Sequence, residues 1–134
     1  IDDILVSFAA FSASRKIQRL EALEQARIEE IARQERAENA RLAKLEQDRS
    51  DYLDRKMAQM KKRDRLSAFL STMTQATPLE ASDECTAFLQ WLRHRLDNVE
   101  AKLQPDTIAS ELKQLEAFRA DNMAAYWTSR RLNT

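Results

Sequence analysis

The chain has 134 residues, with no glycine, two prolines and 22 basic residues that balance 22 acidic ones. Because tight turns and helix C-caps need a residue that tolerates positive φ, such a chain can contain few turns. Strong helix formers dominate its composition, so the sequence predicts an all-α fold of few, long helices. Zero net charge excludes a global electrostatic attraction to nucleic acid or to anionic membranes.

An apolar run, residues 4–11, opens the chain, and Arg15 and Lys16 follow it. This pattern is consistent with the end of a membrane helix that has basic residues just inside the membrane. Asp2 and Asp3 precede the run and favour an N-terminal helix that packs in a core or binds a partner. The run is shorter than the roughly 18 residues that a membrane span needs. A membrane role would therefore depend on residues outside this segment.

One long helix is predicted over about residues 2–72, because nothing in this stretch interrupts it. Ser14 offers a weak alternative start, as the cap of a helix that begins at Arg15. At 1.5 Å per residue, about 70 helical residues would span roughly 105 Å. This length is typical of coiled coils and too great for an isolated globular helix.

Apolar residues recur along one side of this helix and predict the surface that a partner would cover. The predicted interface residues are Ile17, Leu20, Ile28, Ile31, Leu42, Leu45 and Leu53. Four of them lie eleven residues apart, namely Leu20, Ile31, Leu42 and Leu53. An eleven-residue repeat keeps an apolar stripe on one side of a nearly straight or slightly right-handed helix.

A heptad repeat fits parts of the same helix and remains an alternative. Its apolar a and d positions are Ile28, Ile31, Leu42, Leu45, Leu66, Leu70 and Met73. This assignment places Glu35, Glu38 and Arg49 in the apolar seam. Residues 32–41 are almost devoid of large apolar side chains. They are consistent with either a solvated rod or an alanine-lined approach of two helices.

The long helix is predicted to end within residues 71–78, where Ser and Thr cluster before Pro78. Thr77 would cap the next helix, with Pro78 at its first position and Glu80 completing a capping box. Ser82 is an alternative cap one turn later.

A helical hairpin follows, with helices predicted at about 78–103 and 105–131. The first helix carries an apolar stripe that begins at Cys85. The second is predicted to bury Ile108, Leu112, Leu115, Met123 and Tyr126. Packed against the end of the long helix, the hairpin would form a three-helix bundle with four aromatic residues in or beside its core: Phe69, Phe88, Trp91 and Phe118. The predicted domains are an extended coiled-coil helix, 1–53, and a C-terminal helical bundle, 54–134.

The hairpin is too short to cover the whole apolar side of the long helix. Its helices reach roughly 30–40 Å, which leaves the stripe over residues 17–53 without a partner inside the chain. Burying one aliphatic side chain contributes about 1.5–3 kcal/mol, so a continuous stripe is seldom left in water. The sequence therefore predicts a homo-oligomer, with a dimer favoured, or a second helical protein. Parallel and antiparallel association remain open.

The sequence contains no motif for catalysis, and we predict no catalytic residue, metal or cofactor. Phosphate-binding loops and nucleophile elbows need glycines that are absent here. His94 and Cys85 are the only residues of their types, which is too few for a structural zinc site. His94 is expected on the surface and Cys85 in the core. The single cysteine gives a slight preference for a reducing, intracellular compartment.

A basic segment, residues 55–65, is the only strong charge asymmetry. Its candidate contacts for an anionic ligand are Arg55, Lys56, Lys61, Lys62, Arg63 and Arg65. At 100° per residue these side chains surround the helix, whereas a nucleic-acid surface would use one side.

Together these features predict a non-enzymatic protein–protein interaction module, a self-associating coiled-coil scaffold or adaptor. The alternatives are a nucleic-acid-associated helical protein that uses residues 55–65 and the soluble arm of a membrane-anchored protein.

Overall fold

A computed structural model of the chain describes the backbone of residues 2–76 and 82–132 and the side chains of residues 7–76, 82–128 and 130. Within these ranges the chain is helical and contains no strand. The helices are α1 (Asp2–Ala76), α2 (Asp83–Lys102), α3 (Pro105–Gln114) and α4 (Ala120–Leu132), with a 3₁₀ turn at Glu116–Phe118. The prediction of an all-α chain with one long helix followed by shorter helices is confirmed.

Helix α1 continues through Ser14 without a break and ends at Ala76, inside the predicted Ser- and Thr-rich stretch. Near its end the hydroxyls of Thr72 and Thr74 donate to backbone carbonyls four residues earlier, at 2.9 and 2.7 Å. Such bonds compete with the helical backbone pattern and are neutral or slightly unfavourable within a helix. They are therefore consistent with a helix that stops soon afterwards.

Helix α2 begins at the second of the two predicted caps. The Ser82 side chain accepts a hydrogen bond of 3.3 Å from the backbone N–H of Cys85. This bond satisfies one of the N–H groups that the first turn of a helix leaves without an intrahelical partner. The first predicted cap, Thr77 with Pro78 and Glu80, lies outside the described residues.

The prediction of a single helix over 105–131 is wrong. The backbone is extended at Leu115 (φ −90°, ψ 120°) and again at Arg119 (φ −63°, ψ 147°), and the 3₁₀ turn lies between them. The Asn122 side chain donates to the Glu116 carbonyl at 2.7 Å and stabilises this turn. The five residues predicted to be buried on one face are still all half-buried, although the break separates them: Ile108, Leu112, Leu115, Met123 and Tyr126.

By its internal contacts the chain divides into two compact units, Ile1–Ala43 and Lys44–Thr134. The described residues of the first unit all belong to α1. The second unit contains the remainder of α1 and the C-terminal helices. Its buried residues are Leu45, Tyr52, Lys56, Leu92, Leu96, Val99 and Ala117.

The buried and half-buried residues of α1 from position 42 onward follow the heptad repeat. The buried and half-buried positions, apart from Asp48, alternate in spacings of three and four: Leu42, Leu45, Arg49, Tyr52, Lys56, Gln59, Arg63, Leu66, Leu70 and Met73. Leu53 belongs to the eleven-residue repeat and is exposed, whereas its neighbour Tyr52 is buried. Over this part of α1 the heptad spacing therefore describes the packing better than the eleven-residue spacing does.

Burial along α2 begins later than the apolar stripe predicts. Leu89 is the first half-buried residue, and Cys85, one turn earlier, is exposed, so the expectation of a buried cysteine is wrong. Phe88 and Trp91 are 40% and 54% exposed, and they stack on each other with ring centroids 6.0 Å apart. Phe88 meets Phe69 of α1 edge to face at 6.3 Å. These rings therefore lie at the edge of the Lys44–Thr134 unit and outside its buried core.

Candidate functional site

The predicted partner-binding face is uncovered in the Ile1–Ala43 unit. Four of its aliphatic residues, Ile17, Leu20, Ile28 and Ile31, are 47–59% exposed. Among the described side chains of this unit, Ala32 and Leu42 are the ones that are not exposed. Two apolar pairs, Ile17 with Leu20 and Ile28 with Ile31, thus face solvent on one side of this helix, and Glu24 lies on the same side between them.

The other three predicted interface residues lie in different surroundings. Leu45 is buried within the Lys44–Thr134 unit, and Leu42 is half-buried. Leu53 is exposed but lies off the seam that contains Tyr52. Leu45 is therefore not available to a partner. Of the predicted interface residues, the four from position 17 to position 31 are therefore the ones that lie exposed on one side of the helix.

Charged residues of the Ile1–Ala43 unit pair with one another along the helix. Arg27 contacts Glu24 at 2.6 Å, and Arg41 contacts Glu38 at 2.8 Å. The hydrogen bond from Arg41 holds the pKa of Glu38 below its usual value. Exposed pairs of this kind contribute little to stability. The Arg27–Glu24 pair lies on the same side of the helix as the exposed apolar residues, between Leu20 and Ile28.

The basic side chains of residues 55–65 lie in four different environments. Lys56 is buried, and Arg63 is half-buried and pairs with Asp64 at 3.1 Å. Arg55 lies with its guanidinium carbon 5.7 Å from the centre of the Tyr52 ring. The remaining three, Lys61, Lys62 and Arg65, are exposed beside a shallow groove that also includes Leu66 and Phe69. The six residues thus do not form one basic surface.

Lys56 is held by three acceptors inside the Lys44–Thr134 unit. Its Nζ donates to the Lys102 carbonyl at 2.9 Å, to Gln59 Oε1 at 3.2 Å and to the Glu111 carboxylate. The distances from Nζ to the two Glu111 oxygens are 3.0 and 2.9 Å. All three ammonium protons therefore have acceptors, which is what a buried lysine requires.

The same contacts change the ionisation of two residues beside Lys56. The hydrogen bond from Lys56 is the largest influence on Glu111 and lowers the pKa of its carboxyl group. Burial raises the pKa of the Tyr52 phenol, and the negative charge of Glu111 adds to the effect. The Tyr52 hydroxyl is buried beside the Glu111 carboxylate, although no described residue lies in full hydrogen-bond geometry with it.

Arg49 connects α1 to residues 115–122, where the last predicted helix is interrupted. We call these residues the broken segment. Its Nε donates to the Ala117 carbonyl at 2.9 Å, and its Nη2 reaches the Asn122 carbonyl at 3.4 Å. The guanidinium carbon also lies 5.2 Å from the centre of the Tyr126 ring. Arg119, inside the broken segment, is exposed and lies 3.8 Å from Glu116.

Sequence reasoning missed the structural roles of Tyr52, Lys56, Arg49 and Glu111. The heptad spacing carried a signal for the first three, because it places them at consecutive seam positions. A basic side chain at such a position needs an acceptor from another element. Nothing in the local sequence marked Glu111 as that acceptor.

The described residues and the known proteins give no further assignment of function. No group of three or more potential metal ligands occurs among the described residues, and His94 is exposed, as expected. No described helix is long and apolar enough to span a membrane. No protein-family model matches the chain, and no curated protein or solved structure is similar enough to match it.

Proposed function

We propose that this chain is a non-enzymatic interaction module that self-associates, as a dimer, through the apolar face of residues 17–31. The observation that carries the proposal is the exposure of Ile17, Leu20, Ile28 and Ile31 on one side of the helix. An apolar strip of this kind on a soluble chain is typical of an interaction site. A second copy of the same helix offers a strip of matching length and chemistry.

The energies are consistent with a reversible dimer. Burial of a fully exposed aliphatic side chain contributes about 1.5–3 kcal/mol, and these four are already about half covered by their own helix. Eight such side chains in a dimer would contribute roughly 6–12 kcal/mol in total. Association costs about 4–15 kcal/mol in lost freedom of motion, so the net affinity is modest. We therefore expect the oligomeric state to depend on protein concentration.

Sedimentation equilibrium and light scattering over a range of concentrations test the proposal. We expect a mass above that of the monomer for the wild-type chain, and a shift to the monomer for the double variant Leu20→Gln/Ile28→Gln. Leu23→Gln is the matched control, because Leu23 is 68% exposed but lies about 90° around the helix from the proposed face.

Two outcomes would overturn the proposal. A wild-type chain that remains monomeric at the highest accessible concentration would show that the face does not drive association. Equal dissociation of Leu23→Gln and the double variant would show that association uses a different surface.

A further inference from the structure

A second exposed surface lies on the Lys44–Thr134 unit, along α1 from Ala58 to Phe69. Ala58, Lys62, Arg65 and Phe69 follow one another at spacings of four, three and four residues, so they share one side of this helix. A shallow groove runs along this side, and Leu66 is also among the residues that line it. The proposed self-association does not involve any of these residues.

The floor of the groove is apolar. Ala58, Leu66 and Phe69 supply its apolar side chains, and Phe69 is 46% exposed. The groove has a volume of about 490 Å³. An engineered cavity of about 150 Å³ takes up one benzene ring, so the groove is large enough for two apolar side chains of a partner.

Aromatic side chains of α2 extend this apolar surface beyond the groove. Phe69 meets Phe88 edge to face, and Phe88 in turn stacks on Trp91. The guanidinium carbon of Arg95 lies 5.4 Å from the centre of the Trp91 ring. Exposed aromatic and arginine side chains that lie together are typical of protein–protein contact sites.

The rim of the groove is basic. Lys61, Lys62 and Arg65 are exposed, and none of them forms a hydrogen bond or ion pair with the part of the chain that the structure describes. No acidic residue is among the described residues that line the groove. Asp64, which lies between these bases in the sequence, pairs with Arg63 instead. A partner that complements the groove must therefore combine apolar side chains with acidic ones beside them.

These features favour a protein partner over nucleic acid or a bilayer. Single-stranded nucleic acid stacks its bases on free aromatic faces. Here Phe88 and Trp91 already stack on each other, and Arg95 lies over the Trp91 ring, which leaves little aromatic face for a base. A bilayer presents a flat surface, whereas the apolar residues of α1 lie in a groove. An amphipathic helix that lays its apolar face into such a groove fits both its shape and its chemistry.

We propose that this groove binds an acidic amphipathic helix of another protein. The apolar side chains of that helix pack against Leu66 and Phe69, and its Asp or Glu residues pair with the three bases of the rim. The chain then acts as an adaptor, in which the Ile1–Ala43 unit joins copies of the chain and the groove of each copy holds a partner. The groove is a second surface and does not depend on the proposed self-association.

Isothermal titration of the full chain with a synthetic peptide tests this proposal. The peptide is about 18 residues long and carries leucines at helical spacings of three and four, with glutamates on both sides of them. We expect saturable binding with a dissociation constant on the order of 100 μM. A matched peptide with lysine at every glutamate position should bind at least about tenfold more weakly, because the basic rim repels it.

Charge reversal in the groove should exchange the preference between the two peptides. Lys62→Glu/Arg65→Glu should weaken binding of the acidic peptide at least about tenfold and strengthen binding of the lysine peptide. Arg36→Glu/Arg93→Glu is the matched control, because both arginines are exposed outside the groove and the change in net charge is the same. Phe69→Ala should weaken binding of the acidic peptide about tenfold, since it removes the exposed ring. Thermal unfolding verifies that each variant is folded, and the charge reversal decides the matter if Phe69→Ala is not.

The double variant Leu20→Gln/Ile28→Gln should bind the acidic peptide as the wild type does, so a failure of the proposed self-association leaves this test intact. Loss of peptide binding in that variant would place the peptide on the other surface and overturn the proposal. So would the absence of saturable binding at about 1 mM peptide, equal affinity for the two peptides, or equal losses in the two charge-reversal variants.

Two further measurements test the other possible occupants of the groove. Light scattering of Lys62→Glu/Arg65→Glu should give the same mass as the wild type. A shift of this variant from a wild-type oligomer to the monomer would mean that a second copy of the chain occupies the groove, and would overturn the proposal. Vesicles of phosphatidylcholine and phosphatidylserine, or a single-stranded oligonucleotide, should not bind through these bases. Binding of either one without binding of the acidic peptide would equally overturn it.

Discussion

The ammonium group of Lys56 on α1 lies 2.9 Å from Glu111 Oε2 on α3 and is the buried member of an asymmetric ion pair. The Lys56 side chain is 10% exposed, whereas that of Glu111 is 32% exposed. Loss of Glu111 would leave a buried ammonium group with neutral acceptors only. Loss of Lys56 would leave a carboxylate that water can reach. The two partners should therefore differ in their effects on stability.

We expect Glu111→Gln to lower the free energy of unfolding by about 2–3 kcal/mol, because it leaves Lys56 buried without a counter-charge. The partial exposure of this site keeps the loss below that of fully buried pairs. Lys56→Met should cost less, about 1 kcal/mol, because methionine fills the space without a charge. Urea unfolding at neutral pH measures both losses.

Lys44→Met, which removes one member of an exposed pair, is the control and should change stability by less than about 0.5 kcal/mol. A larger loss in Lys56→Met than in Glu111→Gln would contradict this asymmetry.

The same ion pair should make stability depend on acid pH. The Lys56 hydrogen bond lowers the pKa of Glu111 below its usual value of 4.5, so the folded state binds this proton less readily than the unfolded state does. The resulting stability is fully present above pH 4.5 and is lost as the pH falls through the lowered pKa of the folded state. The stability difference between the wild type and Glu111→Gln should therefore shrink between about pH 6 and pH 3. Unfolding curves of both proteins across this range measure it. Other carboxylates, including Glu38, are common to both proteins, and a constant difference would contradict the prediction.

Features of the fold that depend on local chemistry could be predicted from the sequence. The end of α1 near Ala76 and the Ser82 cap of α2 follow from turn and cap residues that lie within a few positions of each other. The exposure of the apolar residues from Ile17 to Ile31 also follows from helix lengths, because the predicted hairpin is too short to cover all of α1. These inferences need no knowledge of how distant segments meet.

Features that depend on distant contacts could not be predicted in the same way. The extended residues Leu115 and Arg119 interrupt the last helix without a glycine or proline to mark them. The break exposes the Ala117 carbonyl to Arg49, sixty-eight positions away in the sequence. Likewise, the sequence placed Lys56 in a basic segment that surrounds the helix, and nothing near it in the sequence indicated its acceptors on α2 and α3, Lys102 and Glu111. The heptad spacing identified the positions of Arg49 and Lys56 as seam positions. It did not identify the hydrogen-bond acceptors that a buried basic side chain needs.

The Ser82 cap offers a prediction confined to one helix end. Ser82→Ala should destabilise the chain by about 1 kcal/mol, because the Cys85 N–H would lose its acceptor. Ser82→Asp should retain most of the stability, since aspartate caps helices equally well and also favours the N-terminal end of the helix dipole. Thermal unfolding by circular dichroism compares them. Ser67→Ala, at an exposed position within α1, is the control and should be neutral or slightly stabilising. Equal effects of the alanine substitutions at 82 and 67 would show that the cap does not contribute.

Arg49 provides the sharpest test of how the broken segment is held against α1. Its side chain is 12% exposed and donates to two backbone carbonyls, of Ala117 and Asn122, that lie on either side of Arg119. Lysine at this position would keep the charge but lose the planar fork that reaches both carbonyls at once. We therefore expect Arg49→Lys to lower the free energy of unfolding by about 1–2 kcal/mol, close to the loss in Arg49→Met.

Arg41→Lys is the matched control for Arg49→Lys, because Arg41 is exposed and pairs with Glu38 on its own helix. Hydrogen exchange should show faster opening of the 3₁₀ turn and of the first residues of α4 in Arg49→Lys but not in Arg41→Lys. This pattern would separate the loss of an anchoring contact from a general loss of helix stability. Full stability in Arg49→Lys would instead mean that a positive charge beside the Tyr126 ring and the Glu46 carboxylate is enough to hold the segment without the two hydrogen bonds to backbone carbonyls.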